Sequence, residues 1–229
     1  MKKLTVPLQQ YEHIAGWLYL FAELFFLPVA LSTANLLLPI PLSNAALNFV
    51  YFSVNFLSIV VIFHRFLGES FQQVLQSPFR CLRAAAIGYI LYHIGNILVS
   101  YLIVSLYPSF SNVNDSSIQT MTQDNYMLMS IGTVLLVPPV EEVLYRGLIF
   151  RGLYNRSRAA AYIVSTLVFA AVHVVSYIGL YDPMLLLLCF LQYIPAGLCL
   201  GFAYASADTI WAPILMHIAI NQIGISTMR

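Results

Sequence analysis

Residues 184–204 read MLLLLCFLQYIPAGLCLGFAY, a stretch without one charged side chain. About 20 apolar residues at 1.5 Å each match the roughly 30 Å hydrocarbon core of a bilayer. The same texture recurs to either side, over Ile14–Leu38, Ala45–Phe63, Leu82–Tyr107, Met127–Tyr154, Ala159–Tyr177 and Ile210–Ile225. Between the second and third of these runs, His64–Cys81 is amphipathic. Phe66, Leu67, Phe71, Val74 and Leu75 stand among Arg65, Glu69 and glutamines, the pattern of a helix lying in the membrane interface. Pro108–Tyr126 is polar, carries no Lys or Arg, and reads as a loop. The expected fold is an all-α polytopic transmembrane helix bundle, about seven membrane helices plus the interfacial one, with residues 1–229 forming a single integral-membrane domain.

Composition excludes the main alternatives. Of 229 residues 60% are apolar and only 8% charged, against roughly 25% charged in an ordinary soluble domain. A soluble globule cannot cover its surface with so few charges. Disorder, a disulfide scaffold and a nucleic-acid binder are excluded by the same numbers. Cys189 and Cys199 lie about 15 Å apart on one helix, beyond disulfide reach, so the cysteines, Cys81 included, read as small packing residues. The run Ile14–Leu38 is longer than a signal-peptide core and is expected to remain as a helix. With seven spans, Lys2, Lys3, Arg65, Arg80, Arg83, Arg151, Arg156 and Arg158 fall on one side. Pro39–Asn44, Pro108–Tyr126 and Ile178–Pro183, on the other, carry no basic residue. The asymmetry places the N-terminus in the cytoplasm.

Ionisable residues deep in a membrane mark function, and here they concentrate in the C-terminal half. Glu141 and Glu142 are adjacent, and Arg146 follows Glu142 by one helical turn, in reach of an ion pair. Glu141 points about 100° away and is left outside that pair. Two acids and one base leave about one negative charge, which is how a general base is supplied. Pro138 and Pro139, just upstream, free backbone carbonyls and kink the helix. His173 follows Phe169 by one turn, and Asn221 follows His217 by one turn. These six polar residues on three helices are expected to converge on one interior site. Glu23, Asn48, Asn55, His93, Asn96 and Gln192 lack partners at useful spacing and read as interhelical hydrogen bonds. Gly197, Gly201 and Ala205 form a small-residue stripe suited to close helix packing. Either Ser206 or Asp208 is expected to cap the last helix.

Glu141-Glu142-Val-Leu-Tyr-Arg146 is an EExxxR motif, Phe169-Ala-Ala-Val-His173 an FxxxH, and His217-Ile-Ala-Ile-Asn221 an HxxxN preceded by Trp211-Ala-Pro-Ile214. In this order and spacing they resemble the CAAX-protease and bacteriocin-processing (CPBP, or Abi) intramembrane proteases, over about residues 127–225. On that resemblance residues 1–126 are variable N-terminal helices and 127–225 the catalytic core. The resemblance implies an endopeptidase of the bacterial cytoplasmic membrane acting on a peptide or protein, with links to pheromone or bacteriocin processing and to immunity. It implies that Glu141 activates water with help from His173, that Arg146 and Glu142 organise the site, and that His217 and Asn221 stabilise the oxyanion. No cofactor is expected. If zinc is used, Glu141, His173 and His217 form the ligand set, although HxxxN and FxxxH are not the HExxH of zincins. Two other classes compete: a non-catalytic membrane regulator or scaffold partnering a sensor protein, which should have lost a motif residue, and a proton-coupled transporter, which should show internal repeats. Neither sign is present in the sequence.

Overall fold

The computed structural model describes residues 3–228; Lys2, used above for orientation, and Arg229 lie outside the described residues. The fold is an all-α polytopic bundle, and the chain is an integral-membrane protein. Its helices are α1 (Gln10–Phe25), α2 (Leu27–Leu36), α3 (Asn44–Ile62), α4 (His64–Gln76), α5 (Pro78–Leu106), α6 (Val113–Asp124), α7 (Tyr126–Tyr154), α8 (Arg158–Val172), α9 (Pro183–Ala207) and α10 (Trp211–Thr227). Phe63, Phe66, Leu144, Leu148, Phe150, Phe169 and Leu200 belong to one continuous buried core joining α4, α7, α8 and α9.

The about seven membrane helices expected from the sequence differ in reach. Helices occupy all seven expected places, and among the described residues only α3, α5, α7 and α9 are each long and apolar enough to cross a membrane. The pair α1 and α2, bent by 45°, makes a fifth if it is one span. The bend falls at Phe26, with Pro28 opening the next helix, where a missing N–H is tolerated. Helix α8 has 15 residues, a reach of about 22 Å against a core of about 30 Å. It stops at Val172 because the side chain of His173 turns back onto the Phe169 carbonyl, 2.7 Å away.

Two local expectations also change. The expected loop at 108–126 contains helix α6. Asn112 caps it by accepting from the Asn114 and Asp115 amides, and α6 packs on α3, α7 and α9. Neither Ser206 nor Asp208 caps α10. Asp208 instead ends α9 in the left-handed region (φ 63°), a conformation Asp tolerates. Its carboxylate accepts from the Thr5 amide at 2.9 Å and the Thr5 hydroxyl at 3.1 Å. The N-terminal stretch is thereby folded against the bundle, with Leu4 and Val6 buried. Buried Glu12 accepts from the Phe66 amide at 2.9 Å and ties α1 to α4.

The small-residue stripe does what its spacing implies. A Cβ on Gly197 would meet Thr166 Cγ2 at 2.7 Å and Thr166 Cα at 3.1 Å. Only glycine lets α9 lie this close to α8, and the closeness carries the Gly197 carbonyl to the site described next.

Candidate active site

Helix α7 is not a uniform α-helix. Ile131–Leu136 and Val143–Phe150 are π-helical, and Glu141 and Glu142 sit on the short α-helical piece between them. Such π-turns recur at functional sites because they rotate side chains out of the regular register. The proline pair contributes directly. The Val137 amide bonds to the Gly132 carbonyl, and the next two residues, Pro138 and Pro139, have no N–H to offer. The Thr133 carbonyl is therefore left for a side chain, and Asn221 of α10 donates to it through Nδ2 at 2.8 Å.

Glu142 and Arg146 form the buried centre. Both side chains are fully buried, with Arg146 Nη1 3.3 Å from Glu142 Oε1. Arg146 Nη2 donates to the Gly197 carbonyl at 3.3 Å. Its guanidinium also lies 4.4 Å from the centre of the Phe169 ring, a cation–π contact strengthened by the absence of water. Phe169 thus has two tasks: its ring carries Arg146 and its carbonyl holds His173 Nδ1. A carbonyl only accepts, so Nδ1 of His173 is the protonated nitrogen of the neutral ring, and Nε2 keeps its lone pair.

His217 lies between the two acids. Its Nδ1 is 2.8 Å from Glu142 Oε1, and its Nε2 is 3.9 Å from Glu141 Oε2, beyond hydrogen-bond reach. Glu141 is the more open of the pair, its side chain 20% exposed. Its Oε2 is buried and has no hydrogen-bond partner among the described residues.

A cavity of about 290 Å³ opens beside these groups, with His173, His217, Asn221 and Thr133 on its wall. The structure therefore brings Glu141, Glu142, Arg146, His217 and Phe169 into one cluster and sets His173 and Asn221 on the adjoining cavity. Glu141 is not among the residues lining that cavity; it meets it through His217. Among the described residues, no three His, Cys, Asp or Glu side chains are placed to hold a metal ion. The three residues of the zinc set raised by the sequence are thus not gathered as ligands here, although His173 and His217 both give Nδ1 to protein acceptors and keep Nε2 available.

Of the polar residues read as interhelical hydrogen bonds, several are such. Tyr51 donates to Glu23 at 2.9 Å, Tyr19 donates to Asn55, and Gln192 meets Asn112 at 2.8 Å. His93 and Asn96 instead line the cavity, and His93 Nε2 is buried without a partner among the described residues. Tyr193, Thr133 and Asp115 are further wall residues that motif reading passed over. Tyr193 stacks on His173 with ring centres 4.2 Å apart. The only signals for them were the Asn112-Val-Asn114-Asp115 cap pattern in a stretch taken for loop, and a tyrosine one turn before Gly197.

Comparison with known proteins covers this same region. Residues 123–223 match the family model "Type II CAAX prenyl endopeptidase Rce1-like". The Bacillus subtilis (strain 168) protein named "Putative membrane peptidase YdiL" is 33% identical over 95 residues, which is 41% of this chain and 34% of that protein. The chain thus aligns with about a third of the length of this curated relative. No solved structure matches the chain. The family match spans all three motifs and the helices that converge on the cluster, so over these residues the chain is similar to CAAX-prenyl-endopeptidase-like membrane proteins.

Proposed function

We propose that the chain is an intramembrane endopeptidase that hydrolyses a peptide or protein at the membrane with a water activated by Glu141. The observation that carries this reading is the His217 imidazole set between two carboxylates, 2.8 Å from Glu142 and 3.9 Å from Glu141, on the wall of a cavity shared with His173 and Asn221. Glu142 is neutralised by Arg146, so the cluster retains one negative charge, on Glu141, to accept a proton.

In the proposed reaction the Glu141 carboxylate takes a proton from water as the water oxygen bonds to the scissile carbonyl carbon. His173, whose Nε2 is free to accept, orients that water. The carbonyl oxygen becomes an oxyanion, stabilised by an N–H of Asn221, while His217, its Nδ1–H given to Glu142, faces the site with the Nε2 lone pair and holds the geometry beside Glu141. Asn221 has two N–H donors, and the Thr133 carbonyl occupies one. The proton held by Glu141 then passes to the amide nitrogen, the C–N bond breaks, and a carboxylic acid and an amine leave. Arg146 holds Glu142, and Glu142 holds His217, so these two act through position.

The setting proposed is a bacterial cytoplasmic membrane, with the N-terminus in the cytoplasm, and the substrate a peptide pheromone or bacteriocin precursor or the target of an immunity function. The test is comparative proteomics of small secreted peptides in cells with the chain, without it, and with Glu141→Gln. The expected outcome is a processed peptide that disappears without the chain and is restored by the unaltered protein but not by Glu141→Gln. Restoration by Glu141→Gln would remove Glu141 as the base. Activity of the purified protein should persist in strong chelators; loss that returns on adding zinc replaces the proposed step by Lewis-acid chemistry.

A further inference from the structure

The cavity has a second end, built by α6. Asp115, in the first turn of that helix, lies on the wall, and it is the one carboxylate among the described wall residues. No Lys or Arg is among the described wall residues. Arg146, the cation of the neighbouring cluster, is committed to Glu142 and Gly197 and covered by Phe169. Asp115 is held in place. Asn112 caps its helix, and the Tyr193 hydroxyl donates to Asp115 Oδ1 at 3.2 Å while accepting from Asn114 Nδ2 at 3.0 Å. The Tyr193 ring stacks on His173, so the carboxylate stands one tyrosine ring from the histidine of the proposed chemistry.

The wall also has unmet hydrogen-bonding capacity. Thr133 is 9% exposed, and its Oγ1 has no partner among the described residues; His93 Nε2 is in the same state. Buried polar atoms left unpaired in a cavity point to a ligand that brings the matching groups. Burial also pushes the Asp115 carboxyl up from the usual carboxylate range, opposed in part by its hydrogen bond from Tyr193. A cation arriving beside it would relieve that burial.

We propose that Asp115 is the specificity residue of this cavity and receives a positively charged group of the substrate, a lysine or arginine side chain or a free α-amine, close to the scissile bond. A substrate presenting a free carboxylate at the same spot meets like charge with no Lys or Arg on the wall to offset it. This inference rests on the endopeptidase reading for its substrate, but its test separates the two.

Full-length protein in detergent is mixed with membrane-anchored fluorescent peptides of one apolar sequence, in which each position in turn is Lys, Leu or Glu. Binding is measured by anisotropy with Glu141→Gln, so that it does not depend on turnover. At one position the Lys peptide is expected to bind about tenfold or more tighter than the Leu peptide, in the range of a charge-assisted contact, and the Glu peptide weakest. Asp115→Asn should remove the preference, and Asp115→Lys should reverse it toward Glu. If Asp115→Asn fails to fold, Asp115→Ser, which suits a helix first turn, takes its place. Binding blind to charge at every position, or a Lys preference that survives both neutral variants, overturns the proposal and leaves Asp115 a residue of the α6 cap. Cleavage by the unaltered protein is read separately. Charge-selective binding with no cleavage of any peptide removes the endopeptidase reading and keeps Asp115; cleavage without charge selectivity does the reverse.

Discussion

Helices α3 and α5 and helices α7 and α9 are alike in length and hydropathy, yet they live in different surroundings. In the most apolar stretch of each, 17% of α3 and 11% of α5 is buried inside the protein, against 44% of both α7 and α9. Hydropathy therefore reports that a helix has left water and says nothing about whether it faces lipid or protein. In a bilayer the two surroundings are equally apolar, so no hydrophobic force sorts one helix from the other. What sorts them is polar and small residues. Helix α7 carries Glu141, Glu142 and Arg146, and α9 carries Gly197, whose carbonyl meets Arg146. Exposed Ile97, Leu98, Tyr101 and Leu102 of α5 have no such demand.

The sharpest break of this comparison is within α7 itself, between adjacent glutamates. Glu141→Gln keeps the shape of the side chain and removes the proposed base, so peptide cleavage should fall by about 10²–10⁴-fold with the melting temperature in detergent nearly unchanged. Glu142→Gln instead leaves a fully buried Arg146 without its counter-charge, at about 3–5 kcal/mol of stability, and loosens His217 as well. A thermal-shift comparison of the two proteins reads the difference. Equal stability loss in both would mean that Glu141 is as structural as Glu142.

Asn221 tests the boundary between cluster and cavity. As an oxyanion donor its loss in Asn221→Ala should lower turnover by about 10²–10³-fold. As an interhelical hydrogen bond to Thr133 it is worth only about 0.6 kcal/mol on average in a membrane. Asn221→Asp is the decisive form, because a carboxylate can neither donate to the Thr133 carbonyl nor receive a developing negative charge. Wild-type turnover in that variant would show that Asn221 serves packing alone.

How much of this was legible in the sequence depends on what each residue answers to. The three motifs and the Glu142–Arg146 pair follow from spacing along single helices, and spacing is what a sequence records. The ends of α8 were not legible, since His173 stops the helix through a side-chain bond to Phe169 that only the folded chain defines. Helix α6 was hidden by its polarity: its cap residues look like a loop until Asn112 turns back on Asp115 and Tyr193 is found waiting on α9. The π-turns around Glu141 had one visible sign, the proline pair, but their partner, Asn221, comes from a helix 88 positions later. Orientation across the membrane stays a matter of basic residues, and a probe on a cysteine at Ser116 in a cysteine-free version should react from outside in intact cells.

A smaller effect sharpens why α9 is buried. Gly197→Ala places a methyl against Thr166, and overpacking of this kind costs about 1–3 kcal/mol. The same shift draws the Gly197 carbonyl away from Arg146. Activity should therefore drop along with stability, and Thr166→Ser, which removes the nearest methyl, should restore part of both. Rescue of stability without rescue of activity would separate the carbonyl contact from the packing.

The smallest effect is also the most direct reading of lipid against core, and it uses the same residue type on both helices. Leu200 on α9 is fully buried, whereas Leu98 on α5 is 64% exposed. Truncating Leu200 to Ala opens a cavity that neighbouring side chains fill only in part, and a leucine in such a place is worth about 2 kcal/mol or more. In a membrane that value reflects lost van der Waals contacts rather than transfer from water, because the unfolded reference is itself surrounded by hydrocarbon. Truncating Leu98 to Ala leaves a dent that lipid chains fill, so the change should stay within about 0.5 kcal/mol. Melting both variants in detergent and again in bilayer discs compares the surroundings directly. A Leu98→Ala loss as large as that of Leu200→Ala would mean that the outer face of α5 is covered by protein in the membrane, and that the two pairs of helices are less different than their burial within one chain makes them.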